Sequence, residues 1–158
     1  MVIKVNVNDE KLKAMIEFFV EKASPSFNDV LDYSVDSPTL DTGVITFDIR
    51  DELIGNPIYR TLHGGVISSI LDIAGGHAVY LHIFKEVRSK PFDKQVERLS
   101  KIGTIDLRID YIRPGKGKHF TAAGHILRAG NKVAVTRMEL HNEEGVMIAV
   151  GTGTYTVG

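Results

Sequence analysis

The segment from Gly64 to Phe84 limits the possible folds of this chain more than any other. Val66, Ile67, Ile70, Leu71, Ile73, Ala74, Ala78, Val79 and Leu81 place apolar side chains around most of a helical circumference. A helix apolar on nearly every side has to be enclosed by other elements. The run approaches the length that spans a bilayer, but Ser68, Ser69, Asp72, His77 and His82 interrupt it, so a buried core helix is expected.

The cover for that helix is readable further along. Residues 42–50 alternate as a strand, and part of 30–40 supplies material for another. After the helix, residues 103–114 alternate Ile105, Leu107, Ile109 and Tyr111 against Thr104, Asp106, Arg108 and Asp110. Three further strand-like stretches follow, separated by the turns Pro114-Gly115-Lys116-Gly117, Ala129-Gly130-Asn131-Lys132 and Asn142-Glu143-Glu144-Gly145. Short turns between long strands make an antiparallel meander. Residues 9–23 read as an amphipathic helix through Leu12, Met15, Ile16, Phe19, Val20 and Ala23, started by Asn8 or Asp9 and stopped at Ser24-Pro25. Residues 85–103 are a charged, solvated connection in which Pro91 breaks the preceding helix and 93–101 can make a short one. The expectation is one α+β domain over 1–158, with an N-terminal helical segment within 1–25 and a sheet of about five to six strands around the central helix.

Composition removes several function classes. The 158 residues are 43% hydrophobic and 25% charged with net charge −1, which gives no electrostatic case for nucleic acid. Cysteine is absent, so disulfides, thiolate metal sites and a cysteine nucleophile are excluded. The N-terminus lacks the arrangement of a signal peptide, and a cytoplasmic protein without a membrane span is expected. The six histidines fall into no metal-ligand spacing. Residues 115–118 read as a turn and the glycines at 151 and 153 as a close-packing device.

Chemistry concentrates at the two ends of one stretch, 56–76. His63-Gly64-Gly65 opens the apolar helix, where backbone N–H groups lack helical acceptors and the dipole adds positive charge. Glycines let a carbonyl oxygen approach those amides. Asp72, inside the apolar run, is costly to bury as an ion without partners. It is either held by Ser68 or Ser69 or acts as a base or nucleophile. The small and polar stripe Ser68, Ser69, Asp72, Gly75 and Gly76 offers a line along which a second helix or chain could approach. At about 1.5 Å rise per residue, Gly64 and Asp72 lie about 12 Å apart along the axis. One reacting carbon cannot touch both on the same helix. If both serve one substrate, they come from two chains of a symmetric dimer.

These residues resemble the hotdog-fold acyl-CoA thioesterases of the phenylacetic-acid-pathway (PaaI-like) type. The likeness rests on residues 62–76, with an aspartate nine positions after His63, on Asn56, and on residues 103–116 and 124–140. The resemblance implies a hotdog fold, with the long helix wrapped by a curved antiparallel sheet, and a homodimer with shared sites, often paired into a dimer of dimers. It implies acyl-CoA hydrolysis with no cofactor and no metal, CoA being part of the substrate. The Gly64 N–H would polarise the thioester carbonyl, Gly65 would shape the helix mouth, and the partner's Asp72 would activate water or attack directly. Asn56 would position substrate or water, Thr104 would orient the water, and His63 would hold the helix start. Asn56 stands seven residues before His63, one more than in some members. CoA phosphates would need cations, for which Arg113, Lys116, Lys118, Arg128 and Lys132 near the strand turns are candidates. A hydratase or dehydratase using His63, and a non-catalytic acyl-CoA-binding module, are the alternatives.

Overall fold

The computed structural model describes residues 3–23, 26–37 and 39–158. In chain order its elements are β1 (Lys4–Val5), α1 (Glu10–Ala23), α2 (Phe27–Leu31), β2 (Ser34–Val35), β3 (Thr42–Asp48), a 3-10 turn at Asp51–Leu53, β4 (Ile54–Asn56), β5 (Thr61–Leu62), α3 (Gly64–Val87), α4 (Phe92–Leu99), β6 (Gly103–Tyr111), β7 (His119–Ala129), β8 (Val133–Asn142) and β9 (Met147–Thr156).

The central helix forms where its apolar circumference required it. Ile70, Leu71, Ala74, Val79, Leu81 and Phe84 have no solvent exposure, and each large side chain among them contributes about 2 kcal/mol by leaving water. By length and composition α3 could cross a membrane, but the sheet and α4 enclose it here. The sheet has seven strands in the order β1-β2-β3-β7-β8-β9-β6, and β4-β5 forms a separate hairpin. All neighbours in the large sheet run antiparallel except β1 and β2. The expected five to six strands thus become seven plus a hairpin. The extra ones, β1, β2, β4 and β5, are two or three residues long, too short for alternation to declare them.

The helix meets the sheet with almost no side chain between. Gly43 and Gly124 are direct partners across β3 and β7. A Cβ on Gly43 would lie 2.6 Å from the Ala78 nitrogen, and one on Gly124 would lie 2.7 Å from the Ala74 carbonyl carbon. Paired glycines therefore let the α3 backbone rest on the strands.

α1 starts at Asp9, whose Oδ1 accepts from the N–H groups of Lys11 and Leu12 at 3.0 and 3.1 Å. An ion pair from Arg88 to Asp9 at 2.8 Å ties that start to the end of α3. The stop signal expected at Ser24-Pro25 lies outside the described residues.

The 85–103 stretch is mostly exposed, as its charge suggests. Its first residues finish α3, and the expected short helix after Pro91 forms as α4, which buries Gln95 and Leu99. One reading needs correction. The alternation expected for β6 fails, because Ile105 and Tyr111 are 54% exposed and only Leu107 and Ile109 are half-buried. A bulge between Thr104 and Asp106 breaks the β6–β9 register. It turns Ile105 outward and puts Thr104 on the same face as Leu107 and Tyr111. Among the described residues β6 is an edge strand whose only neighbour is β9.

Candidate active site

The helix mouth is built by local backbone geometry. His63 is the N-cap of α3 with φ −66° and ψ 139°, and its Nδ1 accepts from the Gly65 N–H at 2.9 Å. That uses one of the orphan amides of the first turn. Val66 and Ile67 N–H groups donate to the His63 carbonyl. Among the described residues the Gly64 N–H meets no acceptor, so it is the amide left for a ligand. The Tyr111 hydroxyl donates to the Gly64 carbonyl at 2.9 Å. Arg113 joins Thr61, Leu62, Gly64, Ile67 and Tyr111 around an open cavity of about 370 Å³ at this mouth.

Asn56 stands beside it on the β4–β5 hairpin. Hydrogen bonds from Leu62 N–H to the Gly115 carbonyl and from His63 N–H to the Leu53 carbonyl hold the hairpin there, at 3.0 and 2.9 Å. Asn56 Oδ1 accepts from the Ile58 and Tyr59 N–H groups, both at 3.1 Å. This turn fixes the side chain and leaves its amide NH₂ without an acceptor among the described residues.

Asp72 has a different set of neighbours. Ser68 and Ser69 donate to the Gly65 carbonyl at 3.0 and 2.7 Å, so neither holds the carboxylate. Thr104 Oγ1 donates to Asp72 Oδ1 at 2.9 Å, and the Tyr155 hydroxyl lies 3.1 Å from both Oδ1 and the Asp72 carbonyl. Both side-chain contacts fall on Oδ1, so Oδ2 is the open oxygen. Tyr155 is 1% exposed. Burial first, and the Asp72 charge second, hold its phenol well above the ordinary tyrosine range, so at neutral pH it is a hydrogen-bond donor. Sequence reasoning missed Tyr155, which is 83 positions from Asp72. The available signal was the pair Gly153 and Tyr155 on one inward strand face: a Cβ at Gly153 would lie 2.7 Å from the Tyr155 hydroxyl.

The small stripe along α3 does not stay together. Gly75 faces the core, where a Cβ would lie 2.8 Å from Thr136 Oγ1 and 2.9 Å from Met138 Sδ, whereas a Cβ at Gly76 would meet only a Tyr155 ring carbon at 3.6 Å.

The cationic candidates divide between the two ends. Arg113 donates to the Met147 carbonyl at 3.1 Å, and Lys116 lies 5.9 Å from the Tyr59 ring centroid, both near Gly64. The Lys118 N–H donates to Glu143 at 2.9 Å on the same turn. Arg128 and Lys132 stand at the far end of β7 and β8, where Val157 N–H donates to the Lys132 carbonyl next to the Thr104–Tyr155 pair.

A single long helix on a seven-stranded sheet, with an open amide at one end and a held carboxylate two turns on, defines an α+β hydrolase-like scaffold of the hotdog type. The chain matches the family described as Thioesterase superfamily over residues 59–149, and it belongs to that family. It is 43% identical over 150 residues to the medium/long-chain acyl-CoA thioesterase YigI of Escherichia coli K12, covering 95% of this chain and 96% of that one. Among solved structures, a thioesterase-superfamily-related protein of Shewanella oneidensis superposes with a TM-score of 0.85 at 41% identity, covering 94% of this chain and 96% of that one. Zebra fish thioesterase superfamily member 2 gives 0.70 at 25% identity, covering 93% and 98%.

Proposed function

We propose that this protein hydrolyses medium- and long-chain acyl-CoA thioesters at sites shared between two copies of the chain. The observation that carries the reading is the placement of β6. One end holds Asp72 through Thr104, the other holds Gly64 through Tyr111, and the outer edge of the strand pairs with no other strand among the described residues. Antiparallel pairing of two such edges sets the Gly64 end of one copy beside the Asp72 end of the other. Exposed Ile105, Tyr111 and Ile112 along that edge favour its being covered. The same pairing collects Arg113 and Lys116 of one copy with the partner's Arg128 and Lys132, a cationic set for CoA phosphates. A dimer of dimers, a cytoplasmic location and the absence of a bound cofactor complete the proposal.

In the reaction, the thioester oxygen accepts from the Gly64 N–H. The partner's Asp72 takes a proton from water through Oδ2 while the water oxygen attacks the carbonyl carbon. The oxyanion collects its charge at the helix mouth. Collapse breaks the carbon–sulfur bond, and the thiolate of CoA takes the proton from Asp72. Thr104 and Tyr155 keep the carboxylate aimed, and the Asn56 amide donates toward substrate or water. The alternative in which Asp72 attacks directly uses the same oxygen.

A thiol-release screen over short, medium, long and aromatic acyl-CoAs tests the reading. Wild-type protein should release CoA and Asp72→Ala should not, with both eluting as the same assembly of paired dimers. Enoyl product from a 3-hydroxyacyl-CoA, or tight binding without thiol release, would replace this reading with a hydratase or a binding module.

A second expectation concerns Tyr155. Its hydroxyl lies 3.1 Å from the carboxylate oxygen that Thr104 also holds. Tyr155→Phe should lower kcat about tenfold, in line with hydrogen bonds to charged groups. An unchanged kcat would assign Tyr155 a packing role only.

A further inference from the structure

Beyond the shared site, an apolar cavity of about 280 Å³ lies between α1, α2, β3 and α3. Its α3 wall is the stripe Ile73, Gly76, His77 and Tyr80, which begins immediately after Asp72. Its opposite wall comes from α1 through Ile16, Phe19 and Val20. Every lining residue outside α3 precedes residue 59, where the family match begins. The cavity is thus walled mostly by residues before the family match, whereas the alignment with the relative that has a medium- and long-chain name covers 95% of this chain.

We propose that this cavity receives the acyl tail, and that the N-terminal segment, with Phe19 and Tyr80 as end wall, sets the preferred chain length. The inference rests on the thioesterase reading and adds the tail-binding subsite to it.

Continuity comes first. Gly76 is one helical turn beyond Asp72, about 6 Å along α3. It lies between the Tyr155 ring, which a Cβ there would approach to 3.6 Å, and the cavity. A tail leaving the carbonyl at Asp72 therefore enters the cavity of the same protomer over a position with no side chain. Length comes next. Tyr80 is eight positions past Asp72, about 12 Å along the axis. An extended chain advances about 1.2 Å per bond, the value for extended backbone, so about ten bonds reach the Tyr80 ring. That ring meets Phe19 of α1 edge-on, with centroids 5.9 Å apart. Its hydroxyl is buried and meets no partner among the described residues.

Polarity agrees with an alkyl occupant. His77 is the one imidazole in the wall, and its Nε2 lies 3.0 Å from Ser37 Oγ. Burial lowers its pKa to about 4, so it is neutral near pH 7. The polar lining gathers on the α2 side, where Asp29 accepts from the Ser26 N–H at 2.7 Å.

The test compares kcat/KM for butyryl-, decanoyl- and hexadecanoyl-CoA. Gly76→Leu fills the cavity entrance and should lower the decanoyl-to-butyryl ratio about tenfold, the worth of somewhat under two methylenes. Phe19→Ala opens the end from the α1 side and should raise the hexadecanoyl-to-decanoyl ratio several-fold. Calorimetric binding of the same CoA esters to Asp72→Asn protein reads the subsite without turnover and should show the same two shifts. If both variants fold and both ratios stay at wild-type values, the tail lies elsewhere and the inference fails while the thioesterase reading stands. If wild-type protein releases no thiol and Asp72→Asn protein binds butyryl- and decanoyl-CoA equally, both fail.

Discussion

Two inactive variants, Gly64→Pro and Asp72→Asn, should recover activity when combined. Gly64 is the first residue of α3, where proline fits and its missing N–H breaks no helical bond. His63 already has the extended conformation that a residue before proline prefers. A Cβ at Gly64 would meet the Tyr111 ring at 3.5 Å, an ordinary contact. The substitution therefore removes the oxyanion donor and little else, at about 10²–10³ in kcat. Asp72→Asn removes the base with a similar or larger loss. In an equal mixture reassembled from denaturant or co-expressed, half the dimers are mixed. Each mixed dimer keeps one intact Gly64 opposite one intact Asp72, so about a quarter of wild-type activity should return. A mixture no more active than its components would mean that the two groups do not meet across the interface.

The largest stability effect is expected at a residue far from any chemistry. Gly124→Ala places a methyl against the Ala74 carbonyl carbon at 2.7 Å and the Gly75 nitrogen at 3.1 Å. These are backbone atoms of the central helix and cannot rotate away. The helix must lift from β7, and its contacts with β3 and β8 loosen with it. Overpacking commonly costs about 1–3 kcal/mol, and the upper end is expected here because the displaced atoms are main chain. At about 2–4 °C per kcal/mol for a domain of this size, the melting temperature should fall by about 10 °C. A melting curve within a degree of wild type would contradict the seating of α3 on the Gly43–Gly124 pair.

The long elements were legible because they repeat a physical signal many times. Seven or more apolar positions around α3, and alternation sustained along β7, β8 and β9, outweigh local noise. The two-residue strands offer one pair each and stay silent. The distance argument along α3 separated the two halves of the site from sequence alone, because helical rise is fixed. What holds each half was not readable. Ser68 and Ser69 sit at helical spacing from Asp72, yet they bond the Gly65 carbonyl, while the partners that Asp72 does have come from β6 and β9. Strand pairing chose them, and pairing is a long-range outcome. The same reason divided the cationic candidates, since Arg113 and Arg128 take opposite ends only once the meander is assembled.

The bulge in β6 has a further consequence. Thr104 and Tyr111 both reach α3 although they are seven positions apart, an odd interval that a regular strand would send to opposite faces. The strand thus works as an odd–even counter whose reading is corrected once, at Ile105. Deleting Ile105, the extra residue, would leave an even interval in which a regular strand keeps both side chains on the helix face. Inserting or deleting a residue with the bulge still in place would instead point one of the two away from the helix. The bulge and the register it sets, more than the composition of the strand, are therefore the inherited quantity.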